Sequence, residues 1–431
     1  MKVINSGSIS AFGGINFVYE DLNKLGVDKL LMNNFPIIAN QSKYSWKDIF
    51  YSFLSIYLFG GSCIEDIESN LRPHLKGNPF CKIPSPDTIL RRLKSLSEET
   101  QTCRTKRGVV DHEYCLNDLI SNTNIQLLIK LGSFKEPVLT LDYDNTIVYN
   151  EKADGKLTYK KDKGYQPGVC TINTKQIVYI ENRNGNSDAK SFQDVTLNRM
   201  FNLLENNGVR NAANFRADSA SYQYDVICLL EQKVDRFYIS AKNSYVEKYF
   251  TQIKTWKECL DGKGRQIWIS EIDYTPFKDQ AKGQNKVAKS YRLVVKRKRN
   301  KTKQINMLTQ CDFEYTAIVT NDRAKSAEQV VHFYNQRGAM EKQFDVVKND
   351  FGWNNMPFSN LASNTVFLYF TAMCKNIYQE LIKRFSAKHE GLKSNFRVKR
   401  FIFKFIILPA KWVRKSRQDI LRVYGKISFK T

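Results

Sequence analysis

The sequence contains no hydrophobic run long enough to cross a bilayer. Its most apolar stretches, FYSFLSIYLFGG and FIFKFIILPA, reach roughly half of the ~20 residues a spanning helix needs, and the second carries a lysine. The opening residues, MKVINSGSISAFGG, lack the charged start and apolar centre of a secretory signal. The expected location is therefore the cytosol, without membrane contact. Paired cysteines are also missing: the 9 cysteines are scattered from Cys63 to Cys374, with no C-x-x-C pair and no histidine pair at zinc spacing. An odd, dispersed set suits reduced core thiols and argues against a disulfide framework or a zinc site. No internal repeat or low-complexity tract is present.

Acidic residues are scarce in two blocks. Residues 281–304 hold 10 basic residues and no acidic one, and residues 391–431 hold 12 against 1, whereas residues 1–130 are nearly balanced at 15 against 13. The formal net charge is +24. Positive charge gathered in blocks of an aromatic-rich chain points to a polyanion, because each neutralised phosphate releases condensed counterions. Nucleic acid is the expected partner.

At 431 residues, 42% of them hydrophobic, the chain can bury a large core and suggests two or three domains. From Ser45 the pattern is helical, with Ile49, Phe50, Phe53, Leu54, Tyr57 and Leu58 on one stripe that stops at Gly60-Gly61. Ser62 can start a second helix. Ser85 and Pro86 open a third, which exposes Arg91, Arg92 and Lys94 beside Leu90 and Leu93. This reads as an all-α region through residue 130, whose last basic helix could enter a major groove. After NIQLLIKLGSFKEP the period changes to that of strands. VLTLDYDNTIVY, KQIVYIENRNGN, NFRADSA and RFYISAKN read as strands, and the segments after Ser187 and Ser221 as helices, which makes a mixed α/β core over residues 131–250. Residues 251–322 read as a β-rich insertion. A helix resumes at Ser326, which can form a capping box with Gln329, within a segment 323–390. The basic tail, 391–431, mixes apolar and cationic residues at near-strand spacing.

The segment YNQRGAMEKQFDVVKND carries a phenol, a guanidinium, a carboxylate and an ammonium at Tyr334, Arg337, Glu341 and Lys348. On a helix turning ~100° per residue, the last three fall roughly −60°, −20° and −40° from Tyr334, so all four share one stripe. Gly338 weakens that helix and could break it. In VLTLDYDNTIVY, Val138, Thr140, Asp142 and Asp144 share one strand face, and acids on a strand suited to burial must bind a cation or find donors. Asp218 falls where a strand gives way to a helix, the usual place for site residues in α/β sheets. Asp142 or Asp144, with Asp218 and Glu341, would offer hard oxygen ligands to two Mg²⁺ ions, with Mn²⁺ as a substitute.

The spacing Tyr334-x2-Arg337-x3-Glu341-x6-Lys348 resembles the Tyr-Arg-Glu-Lys signature of DDE transposases from bacterial insertion sequences. LDYDNT, GYQPG, ENRNGN and RADSASY resemble, in order, further landmarks of the IS-thirteen-eighty branch, over a stretch from about Val138 to Tyr378. The resemblance implies an RNase H-like mixed-sheet catalytic core interrupted by a β-rich insertion before the glutamate helix. It implies cut-and-paste transposition: metal-dependent cleavage at element ends, second-strand cleavage through a DNA hairpin, and strand transfer into target DNA. Asp218 and Glu341 then take the second and third metal-ligand roles. For the first, Asp144-Asn145-Thr146 fits an Asp-x-Thr form and Asp142 heads the double-acid motif, so both stand as candidates. Tyr334, Arg337 and Lys348 would contact phosphates, and Lys296, Arg297, Lys298 and Arg299 of the basic block would track the DNA backbone. Arg91 and Arg92 belong to the helices expected to read the terminal inverted repeats. A homodimer in the DNA complex follows from the need to pair two ends. A nuclease without strand transfer needs the same acids, and a non-enzymatic DNA-binding regulator would use them structurally.

Overall fold

A computed structural model of the chain describes residues 9–39, 41–104, 110–300 and 312–425. Residues 301–304 of the basic block and 426–431 of the basic tail lie outside these. Five helices come first: α1 (Ile15–Lys24), α2 (Val27–Asn34), α3 (Trp46–Leu58), α4 (Arg72–Leu75) and α5 (Pro86–Lys94). Ser45 closes a capping box with Asp48 at the head of α3, and the Ser85 hydroxyl accepts the Thr88 amide at the head of α5.

Next come β1 (Gln101–Arg104), β2 (Asp111–Cys115) and α6 (Asp118–Lys130). The all-α expectation for residues 1–130 is corrected here, since β1 and β2 pair with each other and β2 then pairs with a strand of the central sheet, Tyr114 opposite Arg183. QTCR and DHEYC are short and polar, so the pairing partner, not the sequence period, makes them strands. The first helices are not a separate packing unit either. Tyr19, Phe50 and Phe53 share one apolar cluster with Phe367, Phe370 and Phe401 from the far end of the chain.

Among the described residues the central sheet has 11 strands. In chain order its further members are β3 (Leu139–Asn145), β7 (Gly168–Ile172), β8 (Gln176–Arg183), β9 (Ala212–Ala217), β10 (Arg236–Ala241), β11 (Lys257–Leu260), β12 (Gln266–Tyr274), β13 (Tyr291–Arg299) and β14 (Phe313–Thr320). Between β3 and β7 a small second sheet forms from β4 (Val148–Tyr149), β5 (Lys156–Leu157) and β6 (Lys163–Tyr165). Across the large sheet the order is β1-β2-β8-β7-β3-β9-β10-β14-β13-β12-β11. β3, β9 and β10 run parallel, and β7 runs antiparallel to β3. The β-rich segment is thus an extension of the same sheet, joined through the antiparallel pairing of β14 with β10.

Helices α7 (Gln193–Asn206), α8 (Tyr224–Lys233), α9 (Asn243–Phe250) and α10 (Lys278–Gly283) connect these strands. Leu139, Leu141 and Tyr143 of β3 are buried with Leu197, Phe201 and Leu230 from α7 and α8. The opposite face of the sheet is covered by α11 (Ala327–Asn335), α12 (Ala339–Asp350) and α13 (Leu361–Ser386). The Tyr369 hydroxyl of α13 donates to the Ile180 carbonyl at 2.8 Å, and the Asn376 amide to that of Ile177, also at 2.8 Å. No helix among the described residues is long and apolar enough to cross a membrane.

The tail departs from its near-strand reading. Its first half is helical, with α14 (Val398–Phe401) followed by a π-helical turn at Ile402–Ile406, and Phe401, Phe405 and Ile406 are buried. Phe401, Phe405 and Ile406 recur at helical spacing, and Phe403 and Lys404 between them point outward, which mimics alternation in the bare sequence. Its second half is a hairpin of β15 (Ala410–Lys415) and β16 (Gln418–Val423).

Candidate active site

Strand β3 carries its acids on the face away from Leu139, Leu141 and Tyr143. Asp142 is fully buried, and its two oxygens accept from Arg216 Nε at 2.7 Å and a terminal nitrogen of Arg216 at 3.0 Å. Arg216 lies directly opposite Asp142 on β9, is itself buried, and donates onward to the Phe333 carbonyl at 2.6 Å. A bidentate buried pair of this kind satisfies both partners and leaves no lone pair facing solvent. Asp142 is thereby a strut between β3, β9 and α11. Sequence reasoning missed Arg216; its signal was the spacing Arg216–Asp218, which repeats the spacing Asp142–Asp144 on the neighbouring strand.

That repeat sets the site. With Asp142 opposite Arg216 and Tyr143 opposite Ala217, the next position of the parallel register brings Asp144 to Asp218 at the C-terminal ends of both strands. Asp144 Oδ1 accepts its neighbour Asn145 amide at 2.8 Å, and Oδ2 accepts from Arg337 at 2.8 Å. Burial pushes the Asp144 carboxyl up to about 6; Arg337 opposes this, and the like charge of Asp218 reinforces it. Asp218 caps the short turn Ser219–Ser221 through the Ala220 amide at 2.9 Å, so the capping role and a place in the acidic pair coexist.

The helical segment above the strands is capped by Ser326 with Gln329, as its sequence indicates. It does not break at Gly338. A 3₁₀ turn at Gln336–Gly338 joins α11 to α12, all in right-handed helical conformation. Each 3₁₀ residue turns ~120° instead of ~100°, so the α12 half of the stripe is rotated by roughly 60° relative to the α11 half. The Tyr334 hydroxyl donates to the Ala217 carbonyl at 3.2 Å, and burial raises its proton affinity. Burial works against the charge on Arg337, but Tyr334, Asp144 and Asp218 around it hold the proton more firmly than water does. Lys348 Nζ donates to the Ile147 carbonyl, just beyond β3, at 2.7 Å.

Four groups therefore meet: Asp144, Asp218, Tyr334 and Arg337. Glu341 does not join them. It stands exposed in the first turn of α12, and no three His, Cys, Asp or Glu side chains among the described residues close into a metal cage. Among the described residues the expected convergence of three acids is realised for two, and the 3₁₀ turn takes Glu341 off the stripe it would share with Tyr334. The two converged carboxylates still suit a divalent cation. They are hard oxygen donors, and burial, the main cause of the raised proton affinity of Asp144, strips its carboxylate of the hydration that a bound cation would replace.

The basic block is less available than its composition suggests. On β13 the residues alternate faces. Arg297 lies 4.1 Å from the Trp256 ring centroid and 4.3 Å from that of Phe313, making it a packing residue. Lys298 pairs with Glu314 and Arg299 with Asp312, while Lys296 is half-buried and burial lowers its proton affinity. On α5, Arg91 is exposed, whereas Arg92 is half-buried and donates to the Ser42 hydroxyl at 2.9 Å. The GYQPG and ENRNGN segments are scaffold. Glu181 is buried against Arg183 and Arg199, and a Cβ on Gly185 would sit 2.2 Å from the Lys156 carbonyl oxygen, so only glycine fits there.

Residues 3–430 match the family described as Transposase DDE domain group 1. The chain belongs to this family and is a DNA transposase, an enzyme of DNA transposition. DDE transposases generally depend on a divalent metal ion. No curated protein matches the chain. Among solved structures it is similar to a piggyBac transposase synaptic complex with hairpin DNA, at 11% identity over 92% of this chain and 78% of that one, with a TM-score of 0.45. It is also similar to a Mos1 strand transfer complex, at 11% identity over 54% and 76%, with a TM-score of 0.15.

Proposed function

We propose that Asp144, Asp218 and Glu341 are the three acids of the transposase, holding two Mg²⁺ ions at the ends of an RNase H-like core, with Mn²⁺ able to replace them. What carries the reading is the register of β3 on β9, which brings Asp144 to Asp218 beside Arg337. The strand order β8-β7-β3-β9-β10, with the outer hairpin antiparallel and β3, β9 and β10 parallel, supports the RNase H-like assignment. Asp142, committed to Arg216, is set aside as a ligand. Bound ions would stabilise the charge that develops on the attacking and leaving oxygens of a phosphodiester.

The chain's own groups do the rest. A DNA phosphate competes with Asp144 for the Arg337 guanidinium, since both are oxyanions suited to its fork. Drawing Arg337 onto the phosphate frees Asp144 Oδ2, and unwinding the Gln336–Gly338 turn to α-helical pitch, roughly 60° of rotation, would bring Glu341 toward the pair. Tyr334 orients Arg337 and the phosphate, and Lys348 fixes the end of β3 against α12. Double-stranded DNA at the element's terminal inverted repeats is cut, and the freed 3′ end is joined to target DNA. Two copies of the chain act in one complex, one for each end. The ordered LDYDNT, GYQPG, ENRNGN and RADSASY segments favour the IS-thirteen-eighty branch.

The test is a Mg²⁺ assay on DNA carrying the element ends, scoring both cleaved and strand-transfer products. Asp218→Ala and Glu341→Ala should each abolish both products while DNA binding is kept. Wild-type yields from either variant would remove that residue from the site.

A further inference from the structure

The small sheet β4-β6-β5 sits on the chain directly between the Asp144 strand and β7. Its base is fastened. The Tyr165 hydroxyl donates to Asp154 at 2.6 Å, Asn184 donates to the Asp154 carbonyl at 2.7 Å, and the Lys156 amide donates to Asn184 at 2.8 Å. Its far end is a tight loop. The Thr158 amide donates to the Asp162 carbonyl and the Lys161 amide to the Thr158 carbonyl, both at 2.9 Å. Lys161 takes a left-handed backbone with φ 68°, a strained conformation for a residue with a side chain and one that collects at functional sites.

That loop displays what a folded chain ordinarily hides. Tyr159 is 68% exposed at the tip and Leu157 59% exposed beside it, among exposed Lys160, Lys161 and Lys163. An aromatic ring and lysines side by side on a hydrogen-bonded tip, where they outnumber the one exposed acid, Asp162, are the parts of a surface that stacks bases and follows a phosphate chain. The foot of the flap is tied to the Tyr-Arg-Glu-Lys helix, since Ile147 immediately precedes β4. Lys348 is held at the Ile147 carbonyl, and the charge of Lys160 adds to burial in lowering its proton affinity. Lys160 lies 6.0 Å from the Tyr159 ring centroid at the tip and Lys348 stands at the foot of the flap, with no ion pair to either among the described residues. An anion between them would relieve the repulsion.

We propose that this flap is a DNA finger: Lys160 and Lys348 grip a phosphate of the strand leaving the cut, and Tyr159 stacks on an unpaired base beside it. Stacking requires an open base face, which the interior of a duplex offers only where its pairing is lost, so the occupant is the unpaired flank of a processed end. This rests on the reading of the neighbouring carboxylates as the cutting site.

Binding is measured in an Asp218→Ala background, on oligonucleotides that carry the element end either fully paired or with a short unpaired flank containing 2-aminopurine. Tyr159→Ala and Lys160→Ala should each weaken binding of the unpaired flank roughly tenfold, within the range of a lost base stack. Binding of the paired end should change less than twofold. Tyr159→Phe should restore both affinity and the quenching of 2-aminopurine. Lys160→Ala should also lower the salt slope by about 0.7, which Tyr159→Ala should not. Equal losses on both substrates, no loss on either, or quenching that survives Tyr159→Ala would overturn the finger. Persistent cleavage by Asp218→Ala in the separate Mg²⁺ assay would sink the carboxylate assignment while leaving the binding result standing.

Discussion

At the scale of single residues, two aspartates two positions apart on one strand face have opposite fates, decided by what stands opposite each on β9. Asp142 meets a guanidinium and becomes a strut; Asp144 meets a carboxylate and enters the proposed metal site. The alternation that aligned them was legible in VLTLDYDNTIVY, but the choice between them was not, because it depends on register with a strand some 70 residues away. Asp144 yields a pH test. Its carboxyl is raised from 3.8 to about 6, so the folded state binds that proton more tightly than the unfolded chain does. The contribution of Asp144 to folded stability is fully present below about pH 4 and is lost as pH climbs through 6, by an amount on the order of 1–3 kcal/mol. Asp144→Asn should therefore melt higher than the parent at pH 7.5, yet be inert in cleavage. In the parent, Mn²⁺ affinity measured by calorimetry should drop about tenfold per pH unit below 6, because ligation needs the carboxylate. A flat affinity from pH 7 to 5 would mean that another group controls the site.

At the scale of elements, helix starts were the most readable feature. Ser45, Ser85 and Ser326 each cap where their spacing indicates, since a cap is local chemistry between residues three apart. The Tyr334–Lys348 stripe was readable as helix but not as geometry, because the pitch of a three-residue turn is invisible in letters and moves Glu341 off the line. Gly338 lies in that turn with right-handed helical angles, and a Cβ added there meets nothing within 4 Å. Gly338→Ala should accordingly stabilise the fold by about 0.5–1 kcal/mol. If the turn must flex to deliver Glu341, the same substitution should slow DNA cleavage severalfold in single-turnover measurements. A stabilised variant that cuts at the parental rate would mean that Glu341 arrives by another route.

At the scale of the whole molecule, the blocks of positive charge announced a polyanion, but composition could not say which lysines and arginines are spent internally. Those on β13 largely are, although exposed pairs such as Lys298–Glu314 are worth only about 0–1 kcal/mol and can yield to phosphate. The C-terminal hairpin is freer. Lys415 and Gln418 flank a two-residue turn, Ser416-Arg417, with φ of 50° and 64°, and Arg414, Lys415 and Arg417 are exposed around it. Neutralising those three should flatten the dependence of log K on log salt by up to about 2.7. Charge removal at Lys298 and Arg299 should do less. A hairpin variant with an unaltered slope would exclude the ribbon from the DNA path.

The single sheet has a mechanical side. Because β14 hydrogen-bonds to β10, the outer strands cannot swing as a hinged arm; they project from the acids as a cantilever. Four strands beyond β10, at about 4.8 Å each, carry the rim roughly 19 Å past β10, which is itself one strand out from the acids. That is about the rise of five or six base pairs. A duplex gripped along this rim would be cut at a set offset, measured off by a ruler made of backbone.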